Sequence, residues 1–392
     1  MASLAHVALA GATALSWFGL GTLLLAKLRD PSDTVLDALN RLGAGAIGWA
    51  LLTAFAGWVG ALYTWVYLVG FVPCVILGAL AALQAARALP HPRPSTWTRW
   101  EQALGLLIVV YVLLNVISTL APISSADALA YHAAGPALFE HAHKLVELPW
   151  NAESYQPFSV EMLVLDGFLI GSRIQGALAP LLLGFAAAAV VAGIAYRLGG
   201  RGVALFATAI FLAQPFMLWV NSSTFVEPGL ALMIALASWN IWRLWGTGMA
   251  RFAVLAGVFA GGAGAIKYNG LAAAGALAVG GAVLVRGRLR PATLMGFILP
   301  AALIPMPWYV KNAIVTAIRS IPCSAGRIRW RIRGFGPFFG VTAEDTESWT
   351  PCWCHSGSSP AVARSIAATS CRRSFSRSPL RRCSNAPDDE SS

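Results

Sequence analysis

Charge is what this sequence has least of. Only 11% of its 392 residues are charged, 57% are hydrophobic, and the mean hydropathy is +0.65. Because a soluble domain is about one quarter charged, this composition excludes a soluble globular protein and indicates an integral membrane protein. Cysteine is also scarce. Five of the six cysteines lie between Cys323 and Cys383, and only Cys74 precedes them, which predicts no disulfide framework.

Long apolar runs recur from the first residues onward, and most are long enough to cross a hydrocarbon core of about 30 Å. We predict an all-α polytopic integral membrane protein with about 10 transmembrane helices. The predicted spans cover residues 4–26, 43–62, 64–84, 102–121, 174–196, 203–220, 228–245, 252–266, 270–285 and 293–310. The first run has no basic stretch before it and no convincing cleavage site after it, so we interpret it as a retained helix.

Basic residues divide unevenly between the two sides that these spans define. Among the first 318 residues, thirteen Lys and Arg fall on one side and four on the other. Cytoplasmic loops carry the excess of Lys and Arg, so the loop at 122–173 is predicted to face outward. The net charge of +11 does not predict nucleic-acid binding, because much of the excess lies in residues 319–392, where no folded nucleic-acid module is evident.

The outer loop at 122–173 concentrates the titratable side chains of the apolar part of the chain. It follows directly on a predicted span. The loop contains Asp127, His132, Glu140, His141, His143, Lys144, Glu147 and Glu153. Near its end, residues 157–170 form another apolar run that carries two acids, and we predict an amphipathic helix lying in the outer interface there. A membrane protein that gathers ionisable groups at one face is expected to carry out its chemistry there.

The chain changes character after Thr316. Residues 317–392 are rich in Arg, Ser, Cys and Pro and have no helical or strand periodicity. An irregular, disordered basic tail is the ordinary interpretation of such a segment. Our hypothesis is that residues from about 317 are translated out of frame or derive from a disrupted gene, which sequencing of the locus would test.

Four short motif regions follow one another on the predicted outer side. They are DALAYH at 127–132 with LPWN at 148–151, QPFSVEML at 156–163, FVEP at 225–228, and GAIKYNG at 264–270 with WYVKN at 308–312. In this order, they resemble GT-C-type glycosyltransferases, the multi-span enzymes that use polyprenyl-phosphate sugars. More narrowly, they resemble the family 39 branch, which is protein O-mannosyltransferase-like and aminoarabinose transferase-like. The resemblance covers roughly residues 100–316.

The resemblance implies three regions. Residues 1–100 would be an N-terminal transmembrane extension of three helices, 101–316 a GT-C-like membrane domain, and 317–392 the tail. It also implies a hexosyl- or pentosyltransferase in a bacterial inner (plasma) membrane, with its active loop facing the periplasm or exterior. The enzyme would move a sugar from a polyprenyl-phosphate donor to a glycan, lipid or protein acceptor of the envelope. Family members usually continue with further helices where this tail begins.

Two acids are the catalytic candidates. Asp127 opens the outer loop, and it would act as the base that takes the acceptor proton or as a carboxylate that orients the acceptor. The structural alternative is an N-cap, made by Ser125 or Asp127, for a helix over 128–140. Glu227, before Pro228, could share a proton or a divalent metal ion with Asp127; its alternative is an ordinary first-turn acid.

The remaining candidates would bind substrate. Lys267 interrupts an apolar stretch and would hold the donor phosphate, or else extend to the interface from a helix end. Lys311 is an interface anchor with a secondary phosphate role. His132 and Tyr131 would contact the sugar or acceptor, and Tyr155 and Glu161 would line the cavity. The histidine spacing matches no zinc signature.

Two other functions stay open at this point. The first is a transporter or flippase of lipid-linked glycans, for which we would expect internal repeats and acids in the middle of spans. The second is a non-functional, truncated fragment of a transferase. The arrangement of Asp127, Glu227 and Lys267 separates them best: a transferase needs the three around one outward-opening cavity.

Overall fold

A computed structural model describes residues 2–88, 96–148, 151–285 and 290–320. The α-helices are α1 (Ala2–Leu24), α2 (Thr34–Trp58), α3 (Thr64–Ala88), α4 (Arg99–Thr119), α5 (Ala134–Ala142), α6 (Ser159–Ile170), α7 (Arg173–Ala213), α8 (Pro215–Ser222), α9 (Glu227–Thr247), α10 (Ala250–Ile266), α11 (Tyr268–Val285), α12 (Pro291–Leu303) and α13 (Met306–Ser320). A π-helical turn (Ala128–His132) and a 3-10 turn (Ala152–Tyr155) interrupt the outer loop. The described residues include no β-strand, so the all-α prediction is confirmed.

Five of the described helices are long and apolar enough to cross a membrane: α1, α3, α4, α7 and α11. The count rises to seven if each of two bent pairs is one span. These pairs are α8 with α9, bent by 114°, and α12 with α13, bent by 44°. α10 is apolar but has only 17 residues. The chain is therefore a multi-helix membrane protein, and the predicted number of 10 spans stays a prediction.

The break inside α7 separates two of the predicted spans. α7 contains 41 residues, and its backbone leaves helical geometry at Gly199 and Gly200. Gly200 has φ +76°, in the left-handed region that favours glycine. The predicted boundary between 174–196 and 203–220 coincides with this break. The second segment then ends at Ala213, and α8 starts after one extended residue, Gln214.

Small residues let the first helices pack backbone to backbone. A Cβ added at Gly45 in α2 would overlap the carbonyl oxygen of Trp17 in α1. α2 in turn packs against α6, α7, α9 and α10. Close approach through small residues is how helices associate in apolar surroundings. The first three helices, predicted as an N-terminal extension, thus supply part of the packing that holds the later helices in place.

α6 differs from its prediction. It was expected to be amphipathic and to lie in the outer interface, but eleven of its twelve residues are buried. The reason is that both of its acids have partners inside the protein. Glu161 contacts His132, and Asp166 accepts a hydrogen bond of 2.6 Å from Thr53 Oγ1. Burial also raises the pKa of Asp166 well above its ordinary value, while the Thr53 hydrogen bond opposes this shift. α6 is therefore a core helix.

The C-terminal prediction is tested over only a few residues. α13 continues to Ser320, past the predicted start of the irregular tail at residue 317. Residues 321–392, which hold the rest of that predicted tail, lie outside the described residues.

Candidate active site

One end of the helix bundle collects the predicted site residues. We call it the loop face: the π-helical turn, the 3-10 turn, and the neighbouring ends of α6, α9, α10, α11 and α13. Their chain connections place the starts of α9 and α11 beside the outer loop, as the contacts below show. Residues that are up to 185 positions apart in sequence, from Asp127 to Asn312, therefore share one surface.

Asp127 stands at the start of the π-helical turn with an exposed side chain. Its carboxylate makes no capping hydrogen bond; instead Ser125 Oγ accepts from the backbone N–H of Ala128 at 3.3 Å. The N-cap interpretation is therefore correct for Ser125 and wrong for Asp127. Within the residues that the structure describes, the Asp127 carboxylate has no hydrogen-bond donor, so it is free to accept one from a ligand.

His132 and Glu161 form a buried pair beneath this turn. Nδ1 of His132 lies 2.7 Å from Oε1 of Glu161, and the two residues are 1% and 2% exposed. Their other polar atoms, His132 Nε2 and Glu161 Oε2, are buried without a partner in the described part of the chain. The His132 ring packs edge-on to Phe225 at 5.4 Å between centroids. Glu161 therefore orients His132 from the interior, and neither side chain is on the open surface.

Tyr131 is the residue around which the acids converge. Its pKa is raised, first by burial and then by the carboxylates of Asp127, Glu153, Glu161 and Glu227. These four acids come from the π-helical turn, the 3-10 turn, α6 and α9, so their shared effect places them near one phenol. At neutral pH this hydroxyl stays protonated, and it can donate a hydrogen bond to a ligand oxygen.

Glu227 and Lys267 are ion-paired. Glu227 begins α9, next to Pro228, and Lys267 occupies the extended residue between α10 and α11. Nζ of Lys267 lies 2.9 Å from Oε1 of Glu227, and both side chains are about one quarter exposed. Oε2 of Glu227 is buried and has no partner among the described residues. The two predicted roles, second acid and phosphate-binding amine, thus belong to side chains in direct contact.

Side chains from α11 and α13 fix the 3-10 turn. Lys311 Nζ donates to the backbone oxygen of Ser154 at 3.1 Å, and Tyr268 Oη donates to that of Tyr155 at 2.6 Å. Asn312 also donates to Tyr155 O and lies 2.9 Å from Tyr268 Oη. Tyr155 Oη donates to Glu147 at 3.0 Å. Lys311 and Tyr155 therefore act in the framework of the loop face in this structure.

Tyr268 and Asn312 were not among the predicted site residues. The signal for them was present, since each directly follows a predicted lysine in the KYN and WYVKN motifs. A neighbouring residue on a helix end has the same access to the loop as the lysine itself. Ser159 was also missed: its hydroxyl accepts from Trp308 Nε1 at 2.9 Å and connects α6 to α13.

A small cavity of about 180 Å³ opens beside the π-helical turn. Its lining is rich in hydroxyl groups and comes from the end of α4, the start of the outer loop, α7 and the end of α8. The lining residues are Ser118, Thr119, Ala121, Pro122, Ile123, Ser124, Ser125, Ala177, Ser222 and Ser223. Ser125 both lines the cavity and caps the turn that carries Asp127. Asp127, Glu227 and Lys267 are not among its lining residues, so their arrangement around one cavity stays a prediction.

Asp127 and Glu227, the two predicted metal ligands, have no third ligand beside them among the described residues. Within the described ranges, no three His, Cys, Asp or Glu side chains converge in a group that could hold a metal ion. Asp127 and Glu227 both lie near Tyr131, and Glu227 already has Lys267 as its partner. We therefore assign no step to a metal ion.

Comparison with known proteins finds no relative: no family model, no curated protein and no solved structure matches this chain.

Proposed function

We propose that this protein is a membrane glycosyltransferase that moves a sugar from a polyprenyl-phosphate donor to an acceptor hydroxyl or amine. The observation that carries the proposal is the polar cluster at the loop face. It contains the exposed carboxylate of Asp127, the buried His132–Glu161 pair in ring contact with Tyr131, and the Glu227–Lys267 pair, all at the ends of apolar helices. A lipid-linked substrate needs this juxtaposition of a polar site and an apolar surface.

Asp127 would act as the base. It would take the proton from the acceptor as that oxygen or nitrogen attacks the anomeric carbon. The bond between the anomeric carbon and the phosphate oxygen then breaks, and the bonding electrons leave with polyprenyl phosphate. Attack from the face opposite the leaving group inverts the anomeric carbon. An exposed carboxylate that accepts no hydrogen bond from any of the described residues suits this role.

Lys267 and Tyr131 would stabilise the departing phosphate. Lys267 is one quarter exposed, so its ammonium can contact a phosphate while it keeps Glu227 as a neighbour. Tyr131 stays protonated and can donate to a second phosphate oxygen. His132, oriented by Glu161, lies directly behind Tyr131, with 3.9 Å between the ring centroids. Its role would be to fix the position of this donor.

The hydroxyl-lined cavity next to Ser125 is a fitting place for a sugar. Serine and threonine hydroxyls both donate and accept, which matches a neutral polyhydroxy ligand. We further propose that the loop face lies on the outer side of a bacterial inner membrane, where the acceptor is a glycan, lipid or protein of the envelope. The excess of basic residues on the opposite side supports this orientation.

The full chain, purified and reconstituted into liposomes, tests the proposal. Undecaprenyl-phosphate sugars carrying a radiolabelled sugar are supplied together with envelope glycan, lipid and peptide acceptors, and the labelled product and free undecaprenyl phosphate are measured. We expect product formation with at least one donor. Asp127→Asn should lower turnover about 100-fold or more, the usual effect of losing a general base. Glu140→Gln, at a peripheral acid paired with Arg173, is the matched control and should retain turnover.

A flippase would behave differently in the same liposomes. It would move the labelled donor between leaflets without releasing undecaprenyl phosphate. That result, or full turnover by Asp127→Asn, would rule out the mechanism described above. A fragment without function would give neither reaction, although a thermal unfolding measurement would still show a folded protein.

A further inference from the structure

The end of the bundle opposite the loop face carries a cluster of arginines. We call it the arginine face: the α1–α2 connection, the end of the first segment of α7, the last turn of α9 and the first turn of α10. Because α9 is one continuous helix from Glu227 to Thr247, with Arg243 in its last turns, the two faces lie roughly 24 Å apart. Nothing in the proposed transferase mechanism uses this end.

A cavity of about 300 Å³ opens on the arginine face. It is lined by Arg197, Trp242, Arg243 and Gly246. Both arginines are held in place by aspartates that are almost completely buried. Arg197 is paired with Asp33, and Arg243 lies 2.7 Å from Asp30 Oδ2. The arginine side chains themselves remain 30% and 24% exposed. The guanidinium groups are thus fixed in position with part of their surface open.

Positive charge exceeds negative charge in this cluster. Three aspartates, Asp30, Asp33 and Asp37, pair with five arginines, which gives a formal net charge of +2. The arginines are Arg29, Arg41, Arg197, Arg243 and Arg251. Nε of Arg243 is also buried without an acceptor among the described residues. Five guanidinium groups therefore have more donors than their three carboxylates can occupy.

The helix dipoles do not reverse this sign. α1 ends and α2 begins at the arginine face, and α9 ends there while α10 begins. The partial charges of about −0.5 and +0.5 at these ends cancel in pairs. The first segment of α7 also ends there while its second segment begins directly after Gly200, so this pair of ends cancels as well.

Exposed apolar side chains flank, in sequence, the two arginines that line the cavity. Tyr196 and Leu198, on either side of Arg197, are 59% and 71% exposed, and Trp245, close to Arg243, is 49% exposed. Aromatic and apolar residues at the end of a spanning helix are typical of the membrane–water interface. An anion bound between Arg197 and Arg243 would therefore lie at headgroup depth.

We propose that this cavity binds a phosphate group, carried by the headgroup of an acidic phospholipid. Arginine is the residue best suited to phosphate because its planar fork donates two parallel hydrogen bonds. The bound headgroup supplies the negative charge that the three aspartates do not. The proposal is independent of sugar transfer, and either one can fail without the other.

Gly246 offers a test that leaves every ion pair intact. A Cβ added at this helical glycine meets nothing within 4 Å, so a longer side chain enters open space at the cavity. Gly246→Glu would put a carboxylate beside the two arginines, and Gly246→Gln is its neutral match in size. The probe is fluorescent short-chain phosphatidylglycerol, titrated into the detergent-solubilised full chain, with phosphatidylcholine as the zwitterionic comparison.

We expect Gly246→Glu to weaken phosphatidylglycerol binding about tenfold relative to Gly246→Gln. The new carboxylate would repel the lipid phosphate and compete with it for the two arginines. Arg243→Gln should have a similar effect. Arg201→Gln should change binding less than about twofold, because the nearby Arg201 pairs with Glu101 away from the cavity. Equal binding by the two Gly246 variants, or equal binding of phosphatidylcholine, would overturn the proposal.

Competition by glycerol phosphate identifies the source of the phosphate. If it displaces phosphatidylglycerol, the cavity recognises the phosphate alone and serves a soluble ligand, which overturns the assignment to a lipid. If it does not, while the Gly246 and Arg243 effects persist, the lipid assignment is supported.

Discussion

The acids at the two ends of α9 differ in how many charged partners they have. At the arginine face, Asp30 has two arginine partners and Asp37 has two more. At the loop face, the three acids of the candidate site have at most one polar partner each within the described part of the chain. Glu161 has His132, Glu227 has Lys267, and Asp127 has no hydrogen-bond donor in the described ranges.

Unpaired buried atoms do not separate the two faces. Among the described residues, His132 Nε2, Glu161 Oε2 and Glu227 Oε2 are buried without partners at the loop face, and Asp33 Oδ2, Arg243 Nε and Arg251 Nε are buried without partners at the arginine face. The contrast therefore rests on the number of ion pairs that each acid makes. From it we infer that the arginine face stabilises the fold and that the loop face carries out chemistry. The following predictions test this division, starting with the largest expected change in stability.

Asp30→Asn should cause the largest loss. It removes the shared partner of Arg243 and Arg251 from a site that is 1% exposed, and breaking such a buried pair costs about 3 kcal/mol. Thermal or denaturant unfolding in detergent measures the change. If the variant unfolds like the wild type, the arginine face is not a stabilising network.

The pH dependence of this effect has a definite sign. Burial opposes ionisation of Asp30, but hydrogen bonds from Ser32 and Arg243 outweigh it, and the pKa of Asp30 is lowered. Its stabilising contribution is therefore complete above the ordinary carboxyl pKa of about 4 and is lost as the pH falls through the lowered value. The difference between wild type and Asp30→Asn should shrink below about pH 4.

Glu161→Ala should cost less, about 2 kcal/mol, because it leaves one buried imidazole nitrogen without its partner. The double variant with His132→Ala should recover part of that loss, since it also removes the orphaned group. Unfolding of the wild type, both single variants and the double variant gives the coupling. A loss as large as that of Asp30→Asn would erase the contrast between the two faces.

The Glu227–Lys267 pair should contribute little to stability. Both side chains are about one quarter exposed, and such pairs contribute about 0.5–1 kcal/mol. A double-mutant cycle with Glu227→Gln and Lys267→Gln measures the coupling free energy. By contrast, the Lys267 variant should lose turnover clearly. A large coupling with unchanged turnover would make the pair purely structural.

Asp166→Asn should have the smallest effect on stability at neutral pH, within about 1 kcal/mol, because the amide oxygen can keep the hydrogen bond from Thr53. Burial raises the pKa of Asp166, so its neutral form is favoured in the folded protein. The wild type should therefore lose stability as the pH rises above about 4, towards the raised value. The variant should lack this slope, which unfolding at a series of pH values would detect.

The sequence predicted the helices better than their surroundings. Apolar runs located α1, α3, α4 and α9 within a few residues, and the pair at Gly199–Gly200 marks the boundary inside α7. Hydropathy did not predict the burial of α6, because its two acids indicated a solvent-exposed side of the helix. Their partners, His132 and Thr53, lie 29 and 113 positions away, and no local pattern reports such distant contacts.

The site residues followed the same rule. Scarcity of charge was enough to single out Asp127, Glu227 and Lys267, because each ionisable group in an apolar chain is conspicuous. The contact between Glu227 and Lys267 depends on how α9, α10 and α11 pack, which no local sequence pattern reports. Uncharged framework residues such as Tyr268 and Asn312 carried too weak a signal on their own.

The most direct test of the division between the faces is to measure turnover and unfolding together for Asp127→Asn and Asp30→Asn in the full chain. We predict that Asp127→Asn loses turnover about 100-fold and unfolds like the wild type, because none of the described residues donates a hydrogen bond to its carboxylate. Asp30→Asn should lose stability while its folded fraction keeps turnover. Unchanged turnover by Asp127→Asn would contradict the assignment of chemistry to the loop face.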